Sequence, residues 1–174
     1  GFTLIEVVTI VGIISLLIVI AGSFSSQFFQ RRDIDQLTNA VSGEVQISKL
    51  KAARDGVEYR LSMTISDDED TIEIKRERGN SNSLSSNWTE ISSQMLKLEK
   101  YIDITIVPSN PFVIKPDGSL TLDPSSATES SCVISPKDGT KFKRCGQVSV
   151  TRLGHVNIIK GNWDGSDCKQ IKDK

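Results

Sequence analysis

One histidine, His155, stands in a chain of 174 residues, and that scarcity excludes much chemistry at once. A single imidazole supports no convincing Cys–His or Ser–His–Asp set. The cysteines number three, Cys132, Cys145 and Cys168, all late in the chain and wrongly spaced for a zinc site. No glycine-rich loop has the pattern that cradles phosphates, and there is no internal repeat. Global basicity is also missing: 21 Lys+Arg against 22 Asp+Glu leave a net charge of −1, unlike a nucleic-acid coat protein. With 37% hydrophobic residues the chain is too apolar for disorder. These absences point to a protein that is not an enzyme and holds no cofactor or metal.

The stretch poorest in charge says the most. From Phe2 to Ala21 the only ionisable side chain is Glu6, there is no proline, and Val, Ile and Leu dominate. About 20 residues of helix span roughly 30 Å, the thickness of a hydrocarbon core. A secretory h-region is shorter and follows basic residues, and none precede this run, so the expectation is either that an upstream segment was removed or that the sequence starts late. Glu6 argues against a plain anchor. A carboxylate in hydrocarbon costs several kcal/mol unless it is protonated or meets a cation, so it marks a function and implies a partner. The nearest cation would be an amino terminus at Phe2, reached more easily from a neighbouring subunit than within one straight helix.

The residues Gly1-Phe2-Thr3-Leu4-Ile5-Glu6, followed by an apolar helix, resemble the processing site of type IV pilins and type II secretion pseudopilins. That resemblance implies a prepilin peptidase cutting between Gly1 and Phe2 and N-methylating the new terminus. It also implies that Glu6 neutralises the Phe2 amine of an adjacent subunit during filament assembly. A tip pseudopilin of the family lacks this Glu, so its presence argues against that role. Many members carry a proline late in the apolar run; here Ile20-Ala21-Gly22-Ser23 stands instead, and Gly22 leaves local melting open.

Beyond Phe28-Phe29 the chain becomes charged while helical periodicity continues. Ile34, Leu37, Val41, Val45 and Ala52 form one apolar stripe, and Gly56 supplies a C-cap. Residues 57–64, 71–77, 101–107, 112–115 and 119–122 read as strands, as do segments near 132–135, 141–153 and 155–160. Residues 66–70 read as an acidic turn, 79–93 and 123–131 as loops, and Pro116-Asp117-Gly118 as a tight turn. The expected fold class is α+β and type IV pilin-like: a long N-terminal α-helix packed on an antiparallel β-sheet domain. Its divisions are 1–29 (transmembrane or filament core), 30–56 (amphipathic half of the helix) and 57–174 (extracytoplasmic β-rich domain).

Within the superfamily the chain resembles the GspH/FimT branch. The resemblance rests on Lys51-Ala52-Ala53-Arg54 closing the helix, on the Pro116-Asp117-Gly118-Ser119 turn and on the segment from Val148 to Gly154. Members often follow that glycine with two arginines one residue apart, whereas this chain has His155, Val156 and Asn157.

An extracytoplasmic domain permits disulfides. A two-residue turn at Asp138-Gly139 would bring Cys132 opposite Cys145 on an open pair with Pro136 harmlessly placed. Cys168 is the alternative partner for either. Asp164-Gly165-Ser166-Asp167 reads as a polar loop before a calcium ligand. Charge is segregated as +1 over residues 1–54, −7 over 55–136 and +5 over 137–174. Lys141, Lys143, Arg144, Arg152 and Lys160 are therefore candidate contacts for DNA or for another subunit.

The reading is a minor pilin or pseudopilin that initiates, caps or specialises a type IV pilus or type II secretion pseudopilus. The alternatives are a FimT-like DNA-binding pilin for DNA uptake and a major pilin. Expected partners are other pilin subunits, the prepilin peptidase, an inner-membrane assembly platform and the bacterial inner membrane itself before assembly.

Overall fold

A computed structural model describes residues 1, 3–66, 71–82, 84–107, 111–121, 129–137 and 143–170, with backbone alone for 20–27 and 112. Helix α1 runs unbroken over Leu4–Asp55, through Gly22. Its 52 residues extend about 78 Å. Thr3 is the N-cap, and at the other end Gly56 adopts φ 67° and donates its N–H to the Ala52 carbonyl at 3.0 Å. That left-handed conformation is the one glycine adopts most cheaply.

Among the described residues ten strands follow: β1 (Tyr59–Ile65), β2 (Thr71–Gly79), β3 (Trp88–Lys97), β4 (Ile102–Val107), β5 (Phe112–Ile114), β6 (Leu120–Thr121), β7 (Glu129–Pro136), β8 (Arg144–Thr151), β9 (Val156–Trp163) and β10 (Cys168–Gln170). They form two antiparallel sheets, ordered β3-β2-β1-β5-β6 and β10-β9-β8-β7-β4. Both sheets pack on α1, so the helix is shared between them. The expected stripe is the buried one: Ile34, Leu37, Val41, Val45 and Ala52 are at most 4% exposed. They join Leu61, Ile72, Ile74 and Ile114 of the first sheet and Ile104, Ile134, Val148 and Val150 of the second in a single core.

Two expected loops contain strands. The expected loop 79–93 gives way to β3 from Trp88 onward, an edge strand mostly exposed on both faces that shows no clean alternation in sequence. The expected loop 123–131 gives way to β7 from Glu129 onward, and β10, which pairs with β9, was not foreseen.

The Cys132–Cys145 pairing is corrected. Cys132 lies opposite Val148, not Cys145, a register shift of three residues from a two-residue turn. An odd shift places the two cysteines on opposite faces of the sheet. Cys132 faces the core beside Val148, whereas Cys145 bonds Cys168 with Cα atoms 5.7 Å apart. Gly161 lets β10 come close enough, because a Cβ there would lie 1.9 Å from the Lys169 carbonyl oxygen. The turn at 138–139 itself lies outside the described residues, as do acidic residues 67–70 and most of loop 123–131.

Candidate functional site

The helix start is built by its own sequence. Thr3 Oγ1 accepts from the Glu6 N–H at 3.4 Å, and Glu6 Oε2 accepts from the Thr3 N–H at 2.8 Å and from the Thr3 hydroxyl at 2.9 Å. This is a capping box, which satisfies otherwise unpaired donors of the first turn and sets a negative charge against the positive end of the helix dipole. The Thr-x-x-Glu spacing announces it, and the reading of Glu6 from charge alone passed over it. Both bonds end on Oε2, so Oε1 has no partner among the described residues. Gly1 is exposed and Phe2 lies outside the described residues.

Every Val, Ile and Leu from Leu4 to Val19 is at least 50% exposed. So continuous an apolar surface requires a membrane or other protein surfaces to cover it. Among the described residues no helix is long and apolar enough to cross a membrane. The described apolar side chains reach Val19, and the side chains of 20–27, which the expected span includes, lie outside the description.

The candidate basic contacts do not form one patch. Arg144 donates to Asp35 of α1 at 3.2 Å, and Lys160 donates to Asn39 at 2.8 Å. Gly146 lies opposite Lys160, so these two residues share one end of β8 and β9. Lys143 is exposed beside them. Arg152 is at the other end of β8, about 26 Å away along the strand, and Lys141 lies outside the described residues.

Near Arg152 a different basic group ties α1 to the second sheet, and a backbone bond joins the two sheets. Lys49 donates to the Gly154 carbonyl, and the Leu120 N–H donates to the Arg152 carbonyl at 2.9 Å. His155 lies exposed next to this turn, with its backbone N–H on Thr151 Oγ1. Elsewhere on α1, Glu44 and Arg76 pair at 2.6 Å while only 13% and 7% exposed. Asp55 accepts from Arg54 at 2.7 Å and from Tyr59 at 2.6 Å, which with nearby Arg78 brings its carboxyl down to about 2. Burial and the bond to Asp33 push the Tyr101 hydroxyl well above its ordinary value.

Among the described residues no group of three or more His, Cys, Asp or Glu is placed to hold a metal. The Asp164 carboxylate pairs with Lys169 and accepts from the Ser166 and Asp167 N–H groups and the Ser166 hydroxyl. These donors hold it far below the usual carboxylate range.

No family model and no curated protein matches the sequence. Two solved structures share the fold. One is the minor pseudopilin EpsH of the type 2 secretion system of Vibrio cholerae, at TM-score 0.52 and 10% identity, covering 74% of this chain and 97% of that one. The other is the type IV minor pilin FimU of Pseudomonas aeruginosa, at TM-score 0.52 and 11% identity, covering 75% of this chain and 91% of that one. The chain thus has a pilin-like α+β fold, a long helix on antiparallel sheets.

Proposed function

We propose that this chain is a minor pilin or pseudopilin, a structural subunit that enters the membrane as a precursor and then joins a pilus or pseudopilus through α1. The observation that carries the reading is one continuous helix. It begins at a Gly-Phe-x-x-x-Glu start, exposes a mainly apolar surface with Glu6 as its one charge over the first turns, and ends as the core of a pilin-like domain. The subunit catalyses no reaction. The peptidase cuts between Gly1 and Phe2, and the Glu6 charge meets the new amine of a neighbour. Oε1 is the oxygen free to accept it, since Oε2 already serves the helix cap.

The cap supplies a sharp test. Glutamine at the same position still closes a capping box but carries no charge. Glu6→Gln and Glu6→Ala should therefore both abolish incorporation into sheared filaments, while membrane-held precursor persists. If Glu6→Gln assembles normally and only Glu6→Ala fails, Glu6 serves as a helix cap and its assembly role is wrong. Mass spectrometry of assembled subunits should find Phe2 methylated at the terminus.

The DNA-uptake reading is less well supported by this geometry. The basic candidates are not brought together: Arg152 stands at the far end of β8 from Arg144 and Lys160.

A further inference from the structure

The base of the folded domain carries a basic collar that helix-to-helix assembly does not require. Phe28, Arg31, Arg32, Asp35, Gln36 and Asn39 of α1 line an open cavity of about 580 Å³. Phe28 and Phe29 are 66% and 52% exposed, with their rings edge to face at 6.1 Å. Arg31 and Arg32 are exposed and form no ion pair among the described residues. From the second sheet Arg144 and Lys160 reach the same stretch of helix, fixed by Asp35 and Asn39, with Lys143 exposed beside them. Arg31 and Arg32 line the cavity with one carboxylate, Asp35, while Lys143, Arg144 and Lys160 come from the sheet beside it and the neighbouring Asp33 accepts from Tyr101.

Depth fits this collar to a lipid surface. Phe28 lies about 36 Å along the axis from Leu4, against about 30 Å for a hydrocarbon core. An inserted helix therefore sets the apolar phenylalanines at the edge of the hydrocarbon and the guanidinium groups of Arg31 and Arg32 at the level of the phosphates. Guanidinium matches phosphate oxygens in a two-pronged geometry.

We infer that this collar binds the phosphate head groups of anionic phospholipids in the leaflet facing the folded domain. The inference rests on the membrane-inserted precursor proposed above. A bilayer explains the exposed phenylalanines beside the cations, which DNA phosphates would leave in water. The bound lipid holds the domain upright on the membrane until the helix is drawn into a filament.

The test uses the full chain reconstituted into nanodiscs of phosphatidylcholine and phosphatidylglycerol, with flotation to score insertion and native mass spectrometry to count retained lipids. At low salt phosphatidylglycerol should be retained on the order of tenfold over phosphatidylcholine, falling toward parity at high salt. Arg31→Gln with Arg32→Gln, both at exposed positions, should bring the ratio near parity, and Arg152→Gln should leave it unchanged. Equal retention by the native chain, or a ratio unmoved by the double substitution, would overturn the inference alone. Displacement of the lipid by inorganic phosphate or by a short DNA duplex at comparable concentration would also overturn it, marking a general anion site. A chain that never inserts would overturn the membrane reading together with this one.

Discussion

Cys132 is 3% exposed and faces the core between Val148 of β8 and Ile106 of β4. Its thiol has no disulfide partner, and burial pushes it up to about 12 from an ordinary 9.0. The folded state therefore holds a neutral thiol at pH values where the unfolded chain would ionise it. By linkage this contribution is fully present below about pH 9 and is lost progressively as pH rises toward about 12. Native protein at pH 8 should resist iodoacetamide, and one equivalent should react after denaturant is added without reductant. Rapid labelling of the native chain would contradict the burial, and labelling only after reduction would mean that Cys132 is oxidised. The sequence counted three cysteines, but the partners followed from a strand register that no local pattern fixed. Glu6 shows the converse: its isolation in an apolar run was visible at once, and so was its threonine three residues before.

The contact between α1 and β8 explains why the helix stripe was legible and the sheet register was not. The stripe repeats at helical spacing, and its residues are buried because both sheets close on them. Register depends on what the helix allows beneath it. Gly146 lies under Thr38, where a Cβ would be 1.9 Å from Thr38 Oγ1 and about 3 Å from its other side-chain carbons. Thr38 cannot turn away freely, since it is fully buried and its hydroxyl donates to the Ile34 carbonyl at 2.7 Å. Gly146→Ala should cost about 1–3 kcal/mol by overpacking. Thr38→Ala should recover part of that loss in the double variant, seen as positive coupling in denaturant melts. Additive losses would show that the two positions do not touch. Edge strand β3 was missed for a related reason: with most of both faces in solvent, its polar sequence needs no alternation.

At the scale of the whole molecule, one helix performs two separable tasks. Among the described residues its first half exposes apolar side chains and contributes none to the buried cluster, which begins at Ile34. Its second half is the core of the sheets, tied to them by Glu44–Arg76, Tyr101–Asp33, Arg144–Asp35 and Lys49–Gly154. All of these anchors lie from Asp33 onward. The fold should therefore survive removal of the residues before Phe28, at a cost limited to fraying of a new helix end. Such a chain should keep the Cys145–Cys168 disulfide and the protected Cys132 thiol, and its unfolding free energy should match the full chain's within about 1 kcal/mol. It should also lose affinity for detergent micelles, because the apolar surface is gone. A large fall in stability would mean that the first half supports the domain, and the division of labour along α1 would have to be redrawn. Stable folding without that half would show that its exposed apolar surface, with Glu6 inside it, serves contacts outside the folded domain.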